Sequence, residues 1–368
     1  MPPKISRRKL LKTFKELAAI YGPGRRERDV ADYIGERLDN LWPVVEDDAA
    51  DALDGDAGNL LIKIDGEGEP LLLSAHMDTV EPCAGVKPVV KNGYVYSRGD
   101  TILGADDRAA VAVLLELAEI ADRLPRRRPV EILFTVAEEV GLRGAKHFDY
   151  RSLESKAGFA FDTSQPPGYA VNAAPGSELV TATFRGRAAH AGIEPEKGIS
   201  AIQMASAAIA AMQLGRIDHE TTANIGVISG GQAINIVSER ADIEGEVRSH
   251  DEDKLAAQIE QVTAAMENAA EDFGGVVDMK WEPAYVSYRL DEDTVPVVLF
   301  SRAARAVGLE AKFIAGGGGS DANVFNARGI PSIVLGCGFE KLHTTEERIA
   351  VASLVKLAEL ATALATVE

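Results

Sequence analysis

Three mainly apolar runs that each break off at a histidine or carboxylate constrain this chain more than any other feature. Residues 71–75 lead straight into His76-Met77-Asp78, residues 130–137 into Glu138-Glu139, and residues 157–161 into Asp162. A fourth run, 332–335, opens a loop that reaches His343. Runs without polar alternation suit strands covered on both faces, as inside a parallel sheet. Longer helical patterns lie between them; residues 107–122 carry Val111, Leu114, Leu115, Ala118 and Ala121 along one broad face. Strand and helix in alternation predict an α/β fold, with a mostly parallel sheet flanked by helices.

The pattern changes near residue 175. Residues 178–184 alternate, 201–212 are helical, 223–228 and 241–247 are strand-like, 254–270 are helical, and 276–281 form another strand. That order, β-α-β-β-α-β, predicts a largely antiparallel sheet backed by two helices. Beyond residue 286 the first style returns, with helices at 295–307 and 349–366 and strands at 311–314 and 332–335. An α+β domain over 176–285 is therefore expected inside a discontinuous α/β domain made of 1–175 and 286–368. Asn92-Gly93, between short apolar segments at 89–90 and 94–96, signals a hairpin.

Composition removes several classes of function. Of 368 residues, 46% are hydrophobic and 26% charged, which fits a folded chain and not a disordered one. Lys and Arg number 39 against 57 Asp and Glu, a net charge of −18 that argues against general nucleic-acid binding. No apolar run approaches the roughly 18 residues of a membrane span. Cys83 and Cys337 cannot build a disulfide framework; they read as buried small hydrophobes in a reducing, cytoplasmic protein. Ser6-Arg7-Arg8-Lys9-Leu10-Leu11-Lys12 looks like a twin-arginine export signal, but Lys12, Lys15 and Glu16 interrupt the apolar stretch such a signal needs. Leu10, Phe14, Leu17 and Ala18 fall instead at helical spacing, with Ser6 placed to cap that helix and Gly22 to end it.

In open parallel sheets, ligands collect outside the carboxyl ends of the strands. Asp106-Asp107, just before a long helix, adds a fifth segment to the four that end in polar residues. Taken singly, each has an ordinary explanation: a helix cap for Asp106-Asp107, a solvated pair for Glu138-Glu139, a hydrogen-bonded sheet end for His76 and Asp78. Together they deliver two histidines and several carboxylates to one edge with no compensating cation. Carboxylates so placed raise one another's pKa unless neutralised, and a divalent metal is the natural neutraliser. Imidazole and carboxylate without thiolate suit zinc, cobalt or manganese in a hydrolytic site. His147, His219 and His250 have no such setting. The glycine run 316–319 could cradle phosphate at a helix start, but it lacks the Lys-Ser/Thr ending of a P-loop.

These motifs resemble those of the M20 metallopeptidases. The resemblance rests on Ser74-Ala75-His76-Met77-Asp78-Thr79-Val80, Gly104-Ala105-Asp106-Asp107-Arg108, Ala137-Glu138-Glu139-Val140-Gly141, Phe161-Asp162-Thr163, Gly319-Ser320-Asp321-Ala322-Asn323 and His343-Thr344, in order along nearly the whole chain. It implies two divalent metal ions, most readily zinc: His76, Asp106 and Asp162 on one, His343, Glu139 and a bridging Asp106 on the other. Glu138 would be the general base, and Asp78 would fix the His76 ring. The 176–285 segment resembles the family's lid and dimerisation domain. Its Gly230-Gly231-Gln232-Ala233-Ile234-Asn235 and Glu246-Val247-Arg248 would bring Asn235 and Arg248 to the substrate, joined by Gly319 and Ser320. His190 would serve the site of a partner subunit in a homodimer. Aspartate at position 162 is similar to the tripeptidase T and dipeptidase branch. Arg108 departs from the usual lysine, and the chain is short for that branch. The activity implied is release of the N-terminal residue from short peptides. N-acyl-amino-acid hydrolysis is the alternative on the same scaffold, and a non-catalytic metal- or peptide-binding protein the alternative from another class. Glu138 speaks against the last, since mere binding needs no proton shuttle.

Overall fold

The computed structural model describes residues 5–367, which fall into two compact units. One runs up to Ala173 and resumes over Arg289–Gly316 and from Ser320 onward; the other comprises Ala174–Tyr288 and Gly317–Gly319.

The first unit is a mixed α/β structure with a parallel centre. Leu71–His76 lies between Val130–Thr135 and Gly158–Thr163, parallel to both, and Ser332–Gly336 continues parallel to Gly158–Thr163. Antiparallel strands flank this centre: Leu60–Ile64 on Val130–Thr135, and Tyr169–Ala174 on Ser332–Gly336. All six residues of Leu71–His76 and of Val130–Thr135 are buried, which is why neither segment alternates in sequence. The helix Ala105–Ile120 packs against Leu71–His76, Arg7–Ala19 and Val351–Leu364. Its residues are buried almost all round, so its pattern is apolar all round. Asn92 and Gly93 both have positive φ, 51° and 82°, as a two-residue hairpin between Pro88–Lys91 and Tyr94–Ser97 requires.

At the N-terminus Ser6 caps the helix Arg7–Ala19 by accepting the Lys9 N–H. Gly22 does not end it, since the cap is Ile20. Gly22 instead makes room for Arg108, whose Nη2 donates to its carbonyl at 3.0 Å and would lie 2.6 Å from a Cβ. Both cysteines are buried and unpaired. Among the described residues, no helix is long and apolar enough to cross a membrane.

The second unit is an antiparallel sheet in the order Gly215–Arg216, Thr221–Gly230, Arg240–Ser249, Gly176–Arg185, Val276–Tyr285. Helices Ala201–Ala211 and Glu252–Phe273 pack on it around a core that includes Phe184, Met204, Ile243 and Met266. Gly317–Gly319 group with this unit, unlike the unbroken 286–368 segment that the sequence suggests. The physical reason is local: Arg248 Nη1 donates to the Gly317 carbonyl at 3.4 Å, and a Cβ on Gly319 would run into the Tyr285 ring.

Candidate metal centre

Parallel pairing brings the ends of three buried strands to one edge. His76 ends the first, Asp162 is the penultimate residue of the strand Gly158–Thr163, and Glu138-Glu139 follow Val130–Thr135. Asp106 lies at the start of Ala105–Ile120 with non-helical φ/ψ, as does Asp107, and the peptide bond joining them is cis. Ala137 and His343 adopt positive φ, 52° and 59°. Left-handed backbone at a residue other than glycine is uncommon and concentrates at functional sites.

The side chains converge on Asp106. His76 Nε2 lies 3.1 Å from Asp106 Oδ1 and 3.7 Å from Asp162 Oδ1. His343 Nε2 lies 3.5 Å from Asp106 Oδ2 and 3.0 Å from Glu139 Oε1. The two oxygens of one carboxylate thus serve two separate histidines. Donor atoms about 2.1 Å from a tetrahedral ion stand roughly 3.4 Å apart, so these spacings fit a pair of divalent metals sharing Asp106. His76, Asp106 and Glu139 alone already bring three ligand atoms within 4.8 Å of one another. Asp78, fully buried, accepts the N–H groups of Glu138 at 3.0 Å and Glu139 at 3.1 Å. The same carboxylate lies 3.3 Å from His76 Nδ1, and the Asp78 carbonyl is nearer still at 3.0 Å. One aspartate therefore orients a histidine and both glutamates.

The electrostatics show the want of a cation. Burial pushes Asp162 up to about 7, and the neighbouring carboxylates add to it against His76. Burial and then Asp162 drive Glu138 well above the usual carboxylate range, with His76 opposing. Burial would raise Asp106 too, but His343 and His76 hold it well below its ordinary value. Asp106 and Glu139 in turn raise His343 to about 10. These are groups competing for too little positive charge, and bound divalent ions would supply it.

The remaining sequence candidates divide between the units. Ser320 caps the short helix Asp321–Ala327. Arg248 pairs with Glu246 Oε2 at 2.8 Å beside Gly317–Gly319. Asn235 is exposed, and its carbonyl accepts the Ala191 N–H at 2.9 Å. His190 is exposed, and its Nδ1 accepts the Gly192 N–H at 3.2 Å, which leaves the proton of the neutral ring on Nε2.

The profile of Peptidase family M20/M25/M40 matches residues 72–366. The chain belongs to this family. It is 40% identical over 364 residues to the uncharacterized protein YqjE of Bacillus subtilis, covering 98% of each chain. Among solved structures, a tripeptidase from Staphylococcus aureus superposes with a TM-score of 0.94 at 38% identity, covering 99% of both chains. The aminopeptidase PepT of Bacillus cereus gives 0.89 at 38% identity, covering 98% of both. This M20 chain is thus a peptide hydrolase, and it is not short beside these relatives.

Three further carboxylates of this M20 site are given no role by the sequence, although Asp321 lies inside the motif Gly319-Ser320-Asp321-Ala322-Asn323. Asp321, buried and pushed up to about 6 mainly by that burial, accepts a hydrogen bond from Thr135 Oγ1 at 2.6 Å. Glu27, the residue just before the helix Arg28–Leu38, accepts the Ala137 N–H at 2.9 Å and so props the left-handed turn before Glu138. Glu347 accepts the N–H groups of Leu103, Gly104 and Asp106 at 2.9, 2.7 and 3.0 Å. A carboxylate in a charged helical or loop segment reads as solvated, and nothing local marks Glu27 or Glu347 as buried.

Proposed function

We propose that this M20 peptidase is a cytoplasmic two-metal exopeptidase that releases the N-terminal residue of short peptides, tripeptides among them. The observation that carries the reading is Asp106, whose oxygens lie 3.1 Å from His76 and 3.5 Å from His343. His76, Asp106 and Asp162 would hold one ion, and His343, Glu139 and Asp106 the other, with zinc preferred and cobalt or manganese as substitutes. When bound, the pair supplies Lewis acidity toward the scissile carbonyl and lowers the pKa of water.

The protein's own groups do the rest. Glu138 accepts the proton of the attacking water and returns it to the departing amine; a carboxylate raised by burial is the stronger base for that task. Asp78 keeps His76 and the two glutamate backbones in register. Residues 1–175 and 286–368 would carry this chemistry, while 176–285 would form a lid that also joins two subunits. On the lid, Arg248 would bind the free carboxylate of the peptide, with Asn235, Gly319 and Ser320 shaping the pocket. His190 of one subunit would donate Nε2–H to the oxyanion in its partner's site, and its Nδ1 contact to Gly192 supports that tautomer. Tripeptidase and aminopeptidase relatives at 38% identity support the substrate class.

The test is a metal-free preparation assayed on tripeptides, dipeptides and N-acyl amino acids. Chelation is expected to abolish tripeptide cleavage, and about two equivalents of divalent ion to restore it. Full activity without metal overturns the two-metal reading. Restored activity confined to N-acyl amino acids overturns the exopeptidase assignment and leaves the metal chemistry standing.

A further inference from the structure

The helix Ala105–Ile120, with Asp106 in its first turn, begins without a side-chain cap of its own. Gly104 occupies the cap position at φ 70°, has no side chain to offer, and no side-chain cap bond is made. The first N–H groups of a helix have no partner within it and must find one elsewhere. Asp106 and Asp107 are the residues that composition would nominate, yet their backbones are non-helical; Asp106 turns its oxygens to the histidines, and Asp107 Oδ2 accepts the His76 N–H at 3.3 Å. For Asp106, and for Leu103 and Gly104 just ahead of the helix, the partner comes from the far end of the chain. Glu347, 1% exposed, places Oε2 on the N–H groups of Leu103 and Gly104 and Oε1 on that of Asp106, up to 244 residues away in sequence. Glu347 lies four residues beyond His343, so one short segment carries both a candidate ligand and this contact.

We propose that Glu347 is a positioning residue: it locks the Leu103–Asp106 turn so that Asp106 presents one oxygen to each histidine. The proposal rests on the two-metal reading above and adds the device that makes Asp106 a bridge. A carboxylate is the right group for the task. Bonds from N–H to an ionised acceptor are about twice as strong as neutral ones, and negative charge is favoured at a helix N-terminus. Three such bonds fix both the height and the rotation of the turn. Because Asp106 is shared, a loosened turn should weaken both metal positions together, whereas loss of a group touching one ligand alone should weaken one. Tethering through residue 347 also fixes the spacing between the Asp106 and His343 segments, which the strands of the large sheet do not set.

Glu347→Gln tests this, with Glu346→Gln as control; Glu346 pairs with exposed Lys341 at 2.6 Å and touches nothing in the centre. Amide exchange is read first, on metal-free protein. Exchange at Leu103, Gly104 and Asp106 is expected to quicken in Glu347→Gln and not in the control. Zinc, then manganese, is titrated into the same proteins by calorimetry. Affinity at both positions is expected to fall by about 10–100-fold, as when partners of metal ligands are removed elsewhere. In the reloaded enzyme kcat should drop with KM nearly constant. If Glu347→Gln does not fold, Glu347→Asp, charged but shorter, takes its place with a smaller loss in the same direction. Unchanged exchange, or faster exchange with wild-type metal affinity, overturns the positioning role while the two-metal reading survives. A wild-type protein that binds no divalent ion removes that reading, and this proposal with it.

Discussion

Glu138 and Glu27 are both buried carboxyl groups, but they interact with different neighbours and so respond to different tests. Glu138 feels Asp162, His76 and Glu139, the candidate ligands themselves. Replacing it with alanine is expected to leave metal content intact and to slow turnover by at least about a hundredfold, the usual worth of a positioned base. Metal analysis beside steady-state kinetics checks this, and near-normal turnover removes Glu138 from the base role. Glu27 is pushed up from 4.5 to about 7, first by burial and then by Asp78. An acid raised on folding favours the native state most below its unfolded pKa and loses that advantage as pH rises through the folded value. Glu27 should therefore destabilise the first unit increasingly between pH 4.5 and about 7, by no more than about 3.5 kcal/mol at roughly 1.4 kcal/mol per unit. Glu27→Gln, which resembles the protonated side chain, should gain on the wild type in melting temperature as pH rises over that window. A difference that stays flat with pH would count against a raised Glu27.

At the scale of elements, helix ends in the second unit offer the clearest energetic prediction. Asp251 caps Glu252–Phe273 by accepting the Lys254 N–H at 3.0 Å, and Gly274 closes it at φ 70°. Asp251→Ala should cost about 1 kcal/mol and Asp251→Asn much less, measured by urea unfolding. Equal losses in the two variants would mean that charge and not capping matters there. Long elements were readable because their periodicity reports burial: the expected helix at 295–307 is Val295–Ala306, and the expected strand at 276–281 lies within Val276–Tyr285. Tyr169–Ala174 gives no such signal. Its Asn172 interrupts the apolar pattern, and only the fold reveals that the Asn172 amide donates to the Leu290 carbonyl at 2.9 Å. Phe339–Glu340 and Arg348–Ala350 are too short to show a period; Arg348–Ala350 is a strand because Tyr94–Ser97 is there to pair, and Phe339–Glu340 because Arg348–Ala350 is.

At the scale of the whole molecule, the proposed dimer makes each site a product of two chains. A Glu138→Ala variant and a His190→Ala variant should each be nearly inactive alone. Mixed under conditions where subunits exchange, they should regain part of the activity, because each mixed dimer holds one site with both residues intact. Exchange without recovery, or a fully active monomer, refutes the action of His190 in trans.

The sequence by itself determined the chemistry on offer and the edge that carries it. Apolar runs buried on both faces must be central strands, and strands that run parallel put His76, Glu138, Glu139 and Asp162 at the same end. Those inferences need only local periodicity and the rules of sheet formation. Tertiary structure alone decided how the groups are held. Glu347 meets Asp106 across 241 residues, Glu27 meets Ala137 across 110, and Asp78 divides itself among His76, Glu138 and Glu139. A charged side chain far from its partner leaves no periodic trace. Whether it is solvated or buried against a distant backbone is settled by packing, which the linear sequence does not display.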